Sequence, residues 1–226
     1  MRIHKISILA LTLCLGAAFA RAAASPATTI DLAPYVNNSW CGDFGIYNLN
    51  CNTFPFGAQH YNGVPFLIPG NKAGTANNAW FSDFAAGGGT GVVSITIPVN
   101  VANVRTVYAL MNTTWGSTQP GLLTLTFTGS AGTTWTFNPI TGVDVRDWNN
   151  GPYPDTIACQ LPGRAGKASA INAWVNGQGQ RMDEQVYELP LAFAKQRLVS
   201  ITITDSGDER VQRSFLAALT VSTALP

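Results

Sequence analysis

Charge is scarce in this sequence. Asp, Glu, Lys and Arg make up 11% of the 226 residues, and past the N-terminal segment the basic ones are scattered from Lys72 to Arg213 without a run. Nucleic-acid binding needs a basic patch to neutralise phosphates, so that partner class is excluded. Histidine is scarcer still: beyond His4 there is only His60. A Ser or Cys hydrolase needs a histidine base, and His60 has no Gly-x-Ser-x-Gly partner. Cys-x-x-Cys is absent, and the spacing of Cys41, Cys51 and Cys159 matches no zinc pattern. No segment keeps apolar residues at helical spacing over three turns, so no long helix is expected.

What is present begins with an address. Arg2, His4 and Lys5 precede an apolar run from Ile6 to Leu15, and Ala18-Phe19-Ala20 offers the small-x-small pattern of a cleavage site. Residues 1–24 are read as a secretory signal. The run is well short of the roughly 20 residues needed to cross a bilayer, so no membrane insertion is expected after cleavage. A secreted or periplasmic location follows. Removing the segment leaves ten basic against twelve acidic residues, a net charge of about −2. Cys41 and Cys51 could close a disulfide loop worth about 3 kcal/mol. The alternative is that Cys159 pairs with one of them, since three cysteines always leave one over.

The remaining residues, 25–226, are expected to form one domain, burying on the order of 70% of the unfolded surface. Val107 to Met111 is apolar without alternation, the mark of a strand covered on both faces, followed by an Asn112-Thr113-Thr114-Trp115-Gly116 loop. Elsewhere the period is two. Val93, Ile95, Ile97 and Val99 form one apolar face; Leu123, Leu125 and Phe127 form another, continued past a Gly129–Gly132 turn by Trp135 and Phe137. Val143 with Val145, Val199 to Ile203, and Phe215, Ala217, Leu219 and Val221 follow the same rule, each with one wet face and one dry one. Thr29–Leu32, Val64–Ile68, Ile171–Val175 and Val186–Leu189 are shorter candidates. The pattern predicts an all-β, two-sheet antiparallel β-sandwich.

Two long connections, Pro34 to Asn62 and Gly70 to Gly91, carry aromatics suited to binding. Sugar recognition needs exposed rings for C–H faces beside amides or carboxylates for hydroxyls. In Ile171 to Asn176 the small apolar residues are odd-numbered, which places Trp174 beside Asn172 and Asn176 on the other face. That face is either wet and sugar-binding, or covered at a sheet edge. Trp115, Trp40 and Trp80 are the next candidates, with burial as loop plugs as the alternative; Trp135 is core. No carboxylate pair of the kind a glycosidase needs is visible, which argues against an enzyme. Asp183 and Glu184, in a Gly- and Gln-rich loop, could bind a structural calcium ion or simply meet water. No other cofactor is implied. Asp205 to Arg210 reads as a solvated loop.

Several stretches together resemble a known type. Ile30 to Asn38, Tyr61-Asn62-Gly63-Val64-Pro65-Phe66, Val107 to Trp115, Asp147-Trp148 and Phe215 to Val221 are similar, in this order, to the galactose-binding-like jelly-roll domains of secreted bacterial proteins. Such domains often serve glycoside hydrolases as carbohydrate-binding modules. The resemblance covers nearly all of residues 25–226, implies a jelly roll and makes Trp148 structural. It implies a secreted, non-catalytic carbohydrate-binding or adhesion module whose partner is a carbohydrate or cell-surface glycan. The alternatives are an envelope structural or protein-interaction domain, and a secreted polysaccharide hydrolase or lyase.

Overall fold

The computed structural model describes residues 27–41, 45–49, 52–82, 91–114, 119–141, 144–149, 156–158, 167–177, 179–207 and 212–226. The expected signal segment, Trp115, Cys51 and Cys159 lie outside them. In chain order the strands are β1 (Ala27–Ile30), β2 (Ser39–Cys41), β3 (Gly45–Leu49), β4 (Gly57–Tyr61), β5 (Val64–Ile68), β6 (Trp80–Phe81), β7 (Val93–Ala102) and β8 (Thr106–Thr114). They continue with β9 (Leu123–Gly129), β10 (Thr134–Phe137), β11 (Thr156–Ala158), β12 (Lys167–Val175), β13 (Arg181–Glu188), β14 (Arg197–Asp205) and β15 (Arg213–Ser222). One 3-10 turn, Leu191–Lys195, precedes β14. Among the described residues no helix is long and apolar enough to cross a membrane.

Two antiparallel sheets form a sandwich. The larger runs β1-β15-β8-β13-β12-β11, with β6 also on β15; the smaller runs β10-β9-β14-β7. β8 sits between β15 and β13 and is buried throughout, as its unbroken apolar run predicts. It extends through Thr114, so Asn112 to Thr114 is strand rather than loop. The smaller sheet follows period two: on β7 and β9 every second residue turns inward. Trp135 stacks on Phe127, its register partner, at 5.1 Å.

The larger sheet is covered on both faces, each for a different reason. Its first face meets the smaller sheet through Val107, Ala109, Met111, Tyr187, Leu219 and Val221, against Ile97, Leu125, Phe127, Leu198 and Ile201. Its second face, through Leu110, Met182, Val186 and Phe215, is roofed by Trp40, Phe54, Phe66, Ile68 and Trp148. The one-wet-face expectation therefore fails for β15, which is buried along its whole length. A bulge between Leu216 and Ala218 also breaks its simple alternation, sending the consecutive Ala217 and Ala218 to the same core.

The outer face of the smaller sheet carries hydroxyls in register. Thr136, Thr126, Thr202 and Thr96 form one row across four strands, and Thr124, Thr204 and Ser94 another. Thr96 and Thr202 hydroxyls meet at 2.9 Å and Ser94 and Thr204 at 2.8 Å. Such cross-strand pairs fix register at a few tenths of a kcal/mol or more each.

Three expectations on connections are corrected. Of the expected Val143–Val145 strand, Asp144 and Val145 are among the described residues and form none: Asp144 accepts the Ile140 N–H at 2.8 Å and Val145 makes an isolated bridge to Thr141. Asp205 is fully buried rather than solvated. Its carboxylate accepts Ser82 Oγ at 2.8 Å, the Ser214 N–H at 2.7 Å and the Gly207 N–H at 2.8 Å, tying β14 to β15. The long connections contain β2 to β4 and β6, which lack apolar alternation.

Candidate ligand-binding site

The site is built from a hairpin. β4 and β5 are joined by Asn62-Gly63, whose φ values of +48° and +84° are those a two-residue hairpin turn requires and few other residue pairs tolerate. Phe66 and Ile68 anchor the hairpin in the second core, and Thr220 Oγ1 donates to the Pro65 carbonyl at 2.6 Å, fastening it to β15. Its tip reaches β12 and β13: Asn62 Nδ2 donates to Glu184 Oε2 at 3.1 Å and to the Asn172 carbonyl at 3.3 Å.

Between this hairpin, β1, β8 and β15 lies a cavity of about 470 Å³. His60 and Asn62 enter its wall from the hairpin, Tyr108 from β8 and Ser222 from β15, while Pro65 and Leu225 supply apolar surface. An imidazole, a carboxamide, a phenol and a hydroxyl thus share one wall, although Asn62 Nδ2 is engaged by Glu184 and the Asn172 carbonyl, and Ser222 Oγ accepts the Ala224 N–H at 3.1 Å. Such polar groups on apolar ground suit a small polyhydroxy ligand.

The electrostatics around the cavity come from burial. Burial pushes the Glu184 carboxyl up to about 7, opposed by the Asn62 amide. The Tyr108 phenol is raised by burial first and by the charges of Glu184 and Glu188 as well, against a lowering hydrogen bond to Thr106. Tyr61 is pushed up to about 12 by burial. Glu184 and Glu188 lie on one face of β13, flanking Val186, which pairs with Tyr108. About 13 Å of strand separates their Cα atoms.

Behind the second face, at the β13 end of the sheet, sits a separate ionic bracket. Arg146 grips Asp183 with Nε and Nη2, both at 2.7 Å, and Arg181 Nε reaches the same carboxylate at 3.0 Å. Asn112 Nδ2 donates a fourth bond at 3.0 Å, and Asn112 Oδ1 accepts the Asp183 N–H at 2.8 Å. The expectation of an exposed Asp183–Glu184 loop is overturned: both are in β13, they point to opposite faces, and both are buried. Among the described residues no group of three or more His, Cys, Asp or Glu could hold a metal ion.

The structure disperses the aromatics expected to bind. Trp40 is fully buried, 4.1 Å from the Phe215 ring, and Trp80 is 4% exposed in the first core. Neither turns a ring face to solvent, because each fills space that an Asn- and Gly-rich connection cannot. Trp174 does not share a face with Asn172. A bulge at Ala173 pairs Asn172 with Asp183 but Trp174 with Met182, and Trp174 packs half-buried against Phe54 at 5.7 Å in the second core. Asn176 is occupied in the β12–β13 turn, with Nδ2 donating to Gln180 Oε1 at 2.6 Å and Oδ1 accepting the Gln180 N–H at 3.0 Å. Trp148, 3% exposed, is structural as expected.

Among the described residues of the expected set, only Asn172 touches the hairpin tip, and it does so through its carbonyl. His60, Asn62, Tyr108 and Ser222 were not expected together. The signal that could have found the first two is the Asn-Gly pair between Gln59-His60-Tyr61 and Val64-Pro65-Phe66, the strongest short-range hairpin signal a sequence carries. No protein family, curated protein or solved structure matches the chain.

Proposed function

We propose that the chain is a secreted, non-catalytic carbohydrate-binding or adhesion module of the galactose-binding-like jelly-roll kind, and that its glycan enters the cavity beside the β4–β5 hairpin. The carrying observation is the convergence of His60, Asn62, Tyr108 and Ser222 on about 470 Å³. Cavities of roughly 300–1,000 Å³ with a few placed polar groups suit small ligands. The rings of His60 and Tyr108 match the C–H faces of a pyranose, and Asn62 and Ser222 match its hydroxyls.

The test is binding of residues 25–226 to a panel of immobilised glycans, with and without calcium, alongside His60→Ala and Asn62→Gly. Glycine keeps the turn geometry while removing the amide. Each substitution should weaken binding to the recognised glycan about tenfold, the equivalent of about 1.4 kcal/mol. Wild-type protein that binds no glycan under either condition removes the carbohydrate reading.

A second reading, an envelope structural or protein-interaction domain, draws on the charge-free Thr and Ser rows of the smaller sheet. Envelope association that survives His60→Ala but is abolished by Thr202→Arg would favour it.

A further inference from the structure

Glu184 is a buried carboxyl held by one side-chain donor. It is 1% exposed, and its register partners on the two flanking strands are Leu110 and Ile171. Among the described residues both ion pairs belong to Asp183, on the opposite face, so no cation offsets a charge on Glu184. Its donor, Asn62, is at once the exposed tip of the hairpin and part of the cavity wall. The hairpin is therefore fastened unequally. Its base is set in the core by Phe66 and Ile68 and bonded to β15 through Pro65, and Tyr61 and Val64 pack half-buried against the same core, whereas the Asn62-Gly63 turn between them is held by the side-chain hydrogen bonds of Asn62.

We propose that the tip of the β4–β5 hairpin is a pH-operated flap at the cavity rim, held down while Glu184 is protonated and lifted when Glu184 ionises. A neutral carboxyl is content among apolar neighbours with one amide bond; a carboxylate there must be paired or hydrated. Lifting the exposed Asn62-Gly63 turn is the smallest motion that admits water to it. Burial places the change near pH 7. The other titratable groups facing this region are His60 and Tyr61 on β4, Tyr108 on β8 and Glu188 on β13, whose register partner on β12 is Lys167. Both phenols are raised and stay neutral through the range. As control of ligand access the flap rests on the reading of the cavity as the glycan site; as a motion it does not.

The experiment is a titration of ligand-free residues 25–226 by ¹H–¹⁵N NMR from pH 5 to 8.5, following the Asn62 side-chain amide and the Gly63 backbone amide. Hydrogen-exchange protection at Gly63, corrected for the intrinsic pH dependence of exchange, is measured in parallel. Both amide signals should shift with a midpoint of about 7, and protection at Gly63 should fall about tenfold from one unit below the midpoint to one above. Glu184→Gln should abolish the transition, and His60→Gln should leave it in place. A flat wild-type titration, a transition that persists in Glu184→Gln, or one lost in His60→Gln overturns the flap. Glycan binding with a flat titration would sink the flap alone, and a transition without glycan binding would sink the ligand reading alone.

Discussion

Asn172 and Trp174 stand two residues apart on β12 and face opposite sides of the sheet. The cause is local: Ala173 is absorbed as a bulge, so that Asn172 pairs with Asp183 and Trp174 with the next residue back, Met182. Trp174 thereby becomes a roof element over the second core, edge-on to Phe54. Trp174→Ala should lower stability by about 2 kcal/mol, the low end of large-to-small core changes because the ring is only half-buried. Thermal unfolding checks this. A melting temperature equal to that of wild type would mean the ring is not packed as described.

Asp183 is where the second face is most exposed to a single charge change. Two guanidiniums and one carboxamide end on its carboxylate, and Arg146, itself 1% exposed, belongs to the segment that carries Trp148 over the core. Removing one partner of a buried pair leaves the other uncompensated, at about 3–5 kcal/mol. Asp183→Ala should therefore destabilise far more than Glu188→Ala on the same strand. Urea unfolding of the two variants side by side would decide it, and equal midpoints would mean that Asp183 does not hold the bracket together.

How much of this was legible follows the reach of each signal. The sandwich was readable because period two on β7, β9 and β10, and its absence on β8, reflect one-sided and two-sided burial directly. The bulges at Ala173 and Ala217 were not, since an extra residue in a strand leaves the composition unchanged while inverting every face beyond it. That inversion removed Trp174 from the expected wet face. The roof strand β2 is held by loop hydrogen bonds, such as Trp40 N–H to Asn78 Oδ1 at 2.7 Å. Such bonds have no sequence period. Glu184 and Asn62 are 122 residues apart, and only the folded register brings them together.

The disulfide expectation acquires a partial geometry. Cys41 is buried and disulfide-bonded, and in the parallel pairing of β2 with β3 it lies opposite Leu49, two residues before Cys51 in the chain. Two residues span about 7 Å of extended chain, and a disulfide tolerates Cα separations of about 4.4–6.8 Å. Cys51 is the partner this favours. Non-reducing peptide mapping should recover Cys41 joined to Cys51, with Cys159 alkylated; a Cys41–Cys159 peptide would show the pairing to be wrong. Cys51→Ser should lower stability by about 3 kcal/mol through the freed loop, an effect that dithiothreitol reproduces in wild type but does not add to in the variant.

Glu184 also sets a direction for the pH dependence of stability. Its folded-state pKa lies at about 7, raised from an ordinary 4.5 by burial. Below pH 4.5 the group is protonated in both folded and unfolded chains and contributes no slope. Between 4.5 and 7 the folded protein holds a proton that the unfolded chain has released, so stability falls as pH rises; above 7 both are ionised and the loss is complete. The full shift is worth on the order of 2 kcal/mol once the water admitted at the hairpin tip is allowed for. Glu184→Gln keeps the shape and the bond from Asn62 but cannot ionise. Its melting temperature should match that of wild type at pH 4.5 and exceed it by about 4–8 °C at pH 8. Parallel melting curves for the two proteins across that range would mean that Glu184 is already hydrated or paired in the folded chain, and the buried-carboxyl account would fail with it.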